Sequence, residues 1–127
     1  GMILVCSSDL ARYQFLSGLL RMDGKDYAGA SKFFEAALEK KPGSYEVMKN
    51  LLAAYREMGD NEKVIRLGEE LVKKNPYDRE AVVDFGKALM KSGEVKRGRE
   101  MLVRAMQLNP YENREIEEFL EGRIARP

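Results

Sequence analysis

The sequence contains no histidine and only one cysteine, Cys6. A single cysteine cannot form an internal disulfide, and histidine is both the commonest metal ligand and the commonest proton shuttle. A thiol protease, a zinc site and a Ser-His-Asp triad are therefore excluded by the residue inventory. We expect neither a cofactor nor a metal.

Charge of one sign and long apolar runs are also lacking. Lys and Arg number 22 against 21 Asp and Glu, a balance that provides no overall field to attract nucleic acid or an anionic membrane. The run "MILVC" at residues 2–6 is too short for a membrane span or a signal-peptide core, and no basic region precedes it. The sequence therefore predicts a soluble, cytosolic chain, and its 127 residues predict a single domain.

What the sequence does contain is a repeat. The phrases "KPGSYE", "NPYDRE" and "NPYENRE" follow one another at a nearly constant spacing. Their prolines, Pro42, Pro76 and Pro110, lie 34 residues apart. A recurrence at this period is typical of stacked supersecondary units.

Each interval between prolines has the pattern of two amphipathic helices joined by a turn. In the second unit, apolar residues recur at intervals of three and four over residues 45–57 and again over 62–74, with Gly59 suited to the turn between them. The third unit repeats this pattern around "SGE". The first has the turn "DGKDY", which we interpret as carrying one extra residue. After Pro110, the apolar face of Ile116, Phe119, Leu120 and Ile124 predicts a seventh, capping helix.

These units resemble the tetratricopeptide repeat (TPR), a helix-turn-helix unit of 34 residues. In the first unit the matching residues are Tyr13, Leu16, Ser17, Leu20, Gly24, Tyr27, Ala30, Phe34, Ala37 and Pro42. In the second they are Met48, Leu51, Tyr55, Gly59, Asn61, Val64, Leu71 and Pro76, and in the third Val82, Phe85, Gly86, Leu89, Gly93, Val95, Gly98, Leu102, Ala105 and Pro110. The resemblance implies an all-α, right-handed superhelix (α-solenoid) of three antiparallel helix pairs plus a capping helix. We expect one domain over residues 1–127, with repeats over 10–44, 45–78 and 79–112 and the capping helix over 113–125.

Small residues are expected where the two helices of a unit approach most closely, because bulk would push them apart. The expected set is Ser17, Ala30, Ala37, Gly86, Gly98 and Ala105. The second unit departs from this rule, because Leu52, Val64 and Leu71 stand at its small positions, and it has Gly68 where Phe34 and Leu102 stand in its neighbours. We interpret this as a volume swap, in which Leu52 or Leu71 fills the space that an aromatic side chain at position 68 would take.

The TPR resemblance implies a groove, lined by the first helices of the units, that binds an extended or helical segment of a partner protein. The expected groove residues are Gln14, Arg21, Lys49, Asn50, Ala53, Arg56, Val83, Asp84, Lys87 and Met90. Four basic side chains with Ala53 and Met90 between them favour an acidic, partly apolar peptide. Ordinary solvated surface charge explains the same residues equally well.

The resemblance also allows a test of one ligand class. TPR domains that bind chaperone C-termini hold the terminal carboxylate with Lys and Asn in the first unit, Asn in the second, and Lys and Arg in the third. Only Asn50 matches. Gln14 and Gly18 stand at the first-unit positions, while Glu80 and Asp84 at the third-unit positions would repel a carboxylate. This class of ligand is therefore disfavoured.

The sequence thus favours a non-catalytic protein-interaction module over an enzyme, whose glycines would cradle a ligand instead of forming turns and packing sites. Nucleic-acid recognition would call for a more basic chain. A self-assembling or accessory domain of a larger protein stays open as an alternative, with a homo-oligomer as its signature. The segment "MILVC" could extend the first helix, cover the first unit or belong to a preceding domain. Gly1 before Met2 is typical of a remnant of tag removal.

Overall fold

The structure, a computed structural model, describes residues 7–125. Its helices are α1 (Ser7–Asp23), α2 (Tyr27–Lys40), α3 (Tyr45–Met58), α4 (Asn61–Lys74), α5 (Arg79–Lys91), α6 (Val95–Leu108) and α7 (Arg114–Ala125). These residues contain no strand, so the predicted all-α fold of paired helices with a seventh, final helix is confirmed. The segment "MILVC" lies outside the described residues.

The chain divides into two compact units, residues 1–67 and 68–127, with the boundary inside α4. In the first unit α1 packs against α2, and α2 packs against α3. In the second unit α5 packs against α6. None of the described helices combines the length and apolar character needed to span a bilayer.

The second helices of the three pairs keep one register. α2, α4 and α6 begin at residues 27, 61 and 95 and end at 40, 74 and 108, so both boundaries recur every 34 residues. The turn before each helix has one residue with a left-handed φ: Lys25 at 61°, Gly59 at 73° and Gly93 at 102°. The prediction of an extra residue in the first turn is therefore wrong, because Lys25, and not Gly24, is the counterpart of the two turn glycines.

This register changes which face of α1 is buried. The residues expected on its core face, Tyr13, Leu16 and Leu20, are 64%, 44% and 74% exposed. The buried face instead includes Ala11 and Gly18. The expected core face of the first helix is therefore wrong by one residue, about a quarter turn of helix.

The close approach of α1 and α2 occurs at Gly18 rather than at Ser17. A Cβ on Gly18 would lie 2.4 Å from Cε1 of Phe34, whose side chain is fully buried. The ring of Phe15 lies 5.8 Å from that of Phe34, centroid to centroid, and completes the contact. Gly18 is required here because any side chain would displace the Phe34 ring.

In the second compact unit, residues 68–127, the expected small residues Gly86 and Gly98 lie at the contact between α5 and α6. A Cβ on Gly98 would lie 2.5 Å from Cγ of Met90 and 2.7 Å from the carbonyl oxygen of Gly86. A Cβ on Gly86 would lie 3.0 Å from Cγ of Leu102. The backbones of α5 and α6 therefore approach each other directly at this pair of glycines.

The space beside Gly68 is taken by an aromatic ring from another helix. The three atoms nearest to a Cβ built on Gly68 are the Cβ, Cδ1 and Cγ atoms of Phe85 on α5, at 3.1, 3.1 and 3.3 Å. The predicted volume swap assigned this space to Leu52 or Leu71, whereas the residue in closest contact is Phe85. The aromatic side chain is thus supplied by α5.

α7 is anchored to the rest of the second unit by its buried face and by the loop before it. Ile116 is only 1% exposed. Asn113 donates its side-chain N–H to the carbonyl oxygen of Met106, at 3.1 Å, and accepts a hydrogen bond from the Arg79 guanidinium at 3.2 Å. These contacts fix the start of α7 against the end of α6 and the start of α5.

Candidate functional site

The candidate site on the first unit is one face of α3. Lys49, Asn50, Ala53 and Arg56 lie at spacings of one, three and three residues, so they share a side of the helix. The first three are half-buried and Arg56 is exposed. We call these four residues the α3 face.

The polar side chains of the α3 face are held by neighbouring groups. The Asn50 amide donates a hydrogen bond to the carbonyl oxygen of Glu46 at 2.8 Å, which fixes the direction of the side chain. Arg56 lies 3.4 Å from the Glu57 carboxylate. Both Lys49 and Arg56 make further interactions within the chain. The α3 face is therefore a partly neutralised, ordered polar surface.

Tyr55, next to Arg56 in the chain, anchors α3 to α2. Its phenol donates a hydrogen bond to the Glu35 carboxylate at 3.1 Å, and the Lys63 ammonium lies 5.3 Å from the ring centroid. Burial, together with the negative charge of Glu35 and this hydrogen bond, raises the pKa of the Tyr55 phenol above its ordinary value. The phenol therefore stays neutral and keeps its role as a donor.

The first-helix residues expected in the groove, Gln14 and Arg21, are not counterparts of the α3 face. Arg21 turns toward α2, because its guanidinium lies 3.2 Å from the Asp26 carboxylate and 5.9 Å from the Phe33 ring centroid. Gln14 is half-buried, and its Oε1 is a buried acceptor with no hydrogen-bond partner among the described residues.

The 34-residue register places other side chains opposite the α3 face. The counterparts on α1 are Phe15, Leu16, Leu19 and Met22. All four are apolar, and only Leu16 among them is exposed. The predicted extra residue in the first turn shifted the alignment of the first repeat by one position, and the prediction therefore missed this apolar set.

A cleft of about 260 Å³ opens within the first unit between the start of α1, the end of α2 and the start of α3. Its lining includes Phe15 and Val47 as an apolar floor, with Arg12, Lys41 and Glu46 at its edges. The charges at its rim are of both signs, so the cleft favours no ligand charge by itself.

In the second compact unit, most of the expected groove residues are interior. Val83 is 6% exposed, Asp84 7% and Met90 1%. The Lys87 side chain retains 20% of its exposure. It forms an ion pair with Glu115 of α7, and its ammonium lies 5.5 Å from the Phe119 ring centroid. Val83, Asp84 and Met90 therefore lie in the interior and do not form the surface.

The register also revises the comparison with the chaperone-binding pattern. With α1 shifted by one residue, Phe15 and Leu19 take the first-repeat positions that Gln14 and Gly18 were expected to hold. Both are apolar, so they supply neither the cation nor the amide of the pattern. The two third-repeat positions keep their acidic side chains. The pattern is therefore still unmatched in the first repeat and reversed in charge in the third.

No protein-family model matches the chain, and no curated protein sequence matches it. Solved structures do match. The C-terminal TPR-containing domain of a putative FK506-binding protein from Plasmodium falciparum superposes with a TM-score of 0.81 at 20% sequence identity, covering 91% of this chain and 86% of that domain. The chain has the TPR fold. The alignment covers nearly the full length of both chains, as expected for three helix pairs and a final helix.

Two further TPR structures are similar to this chain. The first TPR domain of Spaghetti (RPAP3), bound to the HSP90 peptide SRMEEVD, has a TM-score of 0.74 at 18% identity, with 89% of this chain and 94% of that one covered. YrrB, a TPR protein with an unusual peptide-binding site, has a TM-score of 0.74 at 19% identity over 79% of this chain. The alignment spans 52% of the YrrB chain, about half of its length. At these identities the similarity shows the fold of the chain.

Proposed function

We propose that this protein is a non-catalytic protein-interaction module that binds a peptide or helix of a partner protein on its first helices, with the α3 face as the central contact. The partner segment is acidic and partly apolar. The observation that carries this proposal is the pairing, within the first unit, of the basic and amide side chains of α3 with the apolar set on α1.

The chemistry of the two helices supports a partner of mixed character. Lys49 and Arg56 favour carboxylates through charge, and Asn50 provides an amide that can bond a peptide backbone. Leu16 and the cleft floor at Phe15 offer apolar contact to a side chain of the same peptide. The similar protein YrrB has a peptide-binding site, and the similar domain of Spaghetti is bound to SRMEEVD, an acidic peptide.

Val83, Lys87 and Met90, which were also expected in the groove, lie in the second compact unit. Val83 and Met90 are interior there, and Lys87 keeps partial exposure. An acidic ligand at Lys87 would compete with Glu115. Recognition of a free chaperone C-terminus stays disfavoured, because the exposed Glu80 would repel its carboxylate.

The proposal is tested by binding measurements with a library of acidic and neutral peptides displayed on an array, followed by calorimetry on the best binders. The test variant carries Lys49→Glu and Arg56→Glu. Its matched control carries Lys96→Glu and Arg99→Glu on α6, which changes the net charge equally and leaves α3 intact. Circular dichroism of both variants confirms that the helices persist.

We expect peptides selected by the wild type to lose at least about tenfold in affinity in the α3 variant, since two charged contacts to a bound carboxylate are reversed. The α6 control should bind like the wild type. Equal loss in both variants would reduce the effect to overall charge, and full binding by the α3 variant would contradict the proposed site.

A self-assembling or accessory domain is the second candidate function. One observation favours it independently of the α3 face: three large apolar side chains are exposed on α1.

A further inference from the structure

The outer side of α1 carries a line of apolar side chains. Tyr13, Leu16 and Leu20 follow one another at spacings of three and four residues, which puts them on one side of the helix. They are 64%, 44% and 74% exposed. Among the residues whose side chains the structure describes, no other helix exposes three large apolar side chains. We call this line the α1 stripe.

The corresponding positions on α3 show how such a face is normally used in this chain. Val47 and Ala54 stand 34 residues after Tyr13 and Leu20, and they are 8% and 0% exposed. They belong to a helix that packs against α2. On α1 the same two positions carry larger side chains and remain open to solvent. The α1 stripe thus corresponds to a face that α3 buries, and none of the described helices covers it on α1.

Charged residues at the two ends of the stripe favour one arrangement of a covering helix. Asp9 and Arg12 lie at its start, and Asp23 and Lys25 lie at its end. None of the four forms an ion pair with another residue in the described part of the chain. A second α1 lying antiparallel brings Arg12 near Asp23 of the second copy and Asp9 near Lys25 of the second copy. A parallel α1 would place each charge beside its own duplicate.

We propose that the α1 stripe is the interface of a symmetric homodimer in which the α1 helices of two copies pack antiparallel. Tyr13 covers Leu20 of the second copy, and the reverse contact follows from the twofold axis, which passes beside Leu16. The interface is isologous and closes on itself, so it produces a dimer and not a fibre.

The size of the stripe sets the strength of the dimer. One helix face buries less than the roughly 800 Å² per partner of a standard stable complex. The charged pairs at its ends are solvent-exposed and contribute orientation more than affinity. A weak dimer whose population depends on protein concentration is therefore expected.

The experiment is sedimentation velocity on the 127-residue chain from low-micromolar to near-millimolar concentration, comparing the wild type with Leu20→Lys. Lys keeps the helix propensity of Leu, so α1 should persist. The matched control is Tyr111→Lys, which removes a side chain that is 92% exposed and adds the same charge away from α1. Leu20→Lys should weaken the dimer at least about tenfold, because it puts a charge in an apolar contact, while Tyr111→Lys should dimerise like the wild type.

A charge-reversal cycle tests the antiparallel orientation. Arg12→Asp and Asp23→Arg should each weaken the dimer several-fold, and the double variant should return to within about twofold of the wild type, since the pairs are restored with exchanged signs. A wild type that stays monomeric at the highest concentration, a Leu20→Lys variant that dimerises normally, or a double variant no better than the singles would overturn the proposal. These variants leave the α3 face, Phe15 and Leu16 unchanged, so peptide binding by each variant can be measured separately from its dimerisation.

Discussion

At the scale of single residues, Lys25 stands where the other two turns have glycine. Its φ of 61° places an L-residue with a side chain in the left-handed region, where glycine has no steric cost. We expect Lys25→Gly to raise the free energy of unfolding by about 0.5–1 kcal/mol. Urea denaturation measures the change. Lys32→Gly, in the middle of α2, is the matched control and should destabilise by about 1 kcal/mol because its backbone is helical.

A second residue-scale prediction concerns the phenol of Tyr55. Tyr55→Phe removes the hydrogen bond to Glu35 and should lower the free energy of unfolding by about 0.5–1.5 kcal/mol at neutral pH. Tyr77→Phe, at a position that is 79% exposed, should leave it unchanged. The same measurement in urea applies.

The pH dependence of that difference follows from the raised pKa of Tyr55. Folding favours the neutral phenol, so its contribution is fully present below the pKa of about 10 of an unfolded tyrosine and is lost as the pH rises toward the higher pKa of the folded state. Between neutral pH and about pH 11, the wild type should therefore lose more stability than Tyr55→Phe. Parallel pH profiles would contradict the assignment.

At the scale of helices, the contact between α1 and α2 depends on the missing side chain of Gly18. Gly18→Ala would force its Cβ to within 2.4 Å of the Phe34 ring. We expect a loss of about 1–3 kcal/mol from overpacking. Gly122→Ala in α7 meets no atom within 4 Å and should gain up to about 1 kcal/mol of helix propensity. Thermal unfolding followed by circular dichroism gives both values, and equal shifts would show that the Phe34 contact is unimportant.

The contact between α4 and α5 provides a compensating pair. Gly68→Phe should destabilise by about 1–3 kcal/mol, because Phe85 already fills the space beside Gly68. Adding Phe85→Ala should recover part of that loss by freeing the same volume. A double variant as unstable as the sum of the two single variants would indicate that the two positions do not share space.

At the scale of the whole molecule, the final helix contributes stability through its buried face. Ile116 is 1% exposed, so Ile116→Ala should cost about 2–5 kcal/mol by leaving a cavity. Glu117→Ala, on the exposed side of α7, is the control and should change stability by less than about 0.5 kcal/mol. If both variants melt like the wild type, α7 does not pack as described.

The helix pairs were predictable because proline spacing and apolar periodicity are local properties of the sequence. The alignment of α1 with the other first helices was not predictable in this way. Gly24 resembles the turn glycines of the other repeats, whereas the residue with the left-handed φ is its neighbour, Lys25. The burial of Val83 and Met90 was equally hidden. Exposure depends on which helices pack around a residue, and a position within a repeat does not reveal that. On α3, where the predicted alignment agrees with the structure, the predicted residues do share one face.

The strict 34-residue register also matters for protein engineering. Asp26, Asp60 and Glu94 precede α2, α4 and α6 at the same step, and the first two cap their helices by accepting backbone N–H bonds at 3.0 and 3.1 Å. A duplicated segment of residues 45–78, inserted after residue 78, would keep each turn and helix boundary in phase. The chain can thus be lengthened by whole repeats without the design of a new loop, so the number of repeats can be chosen.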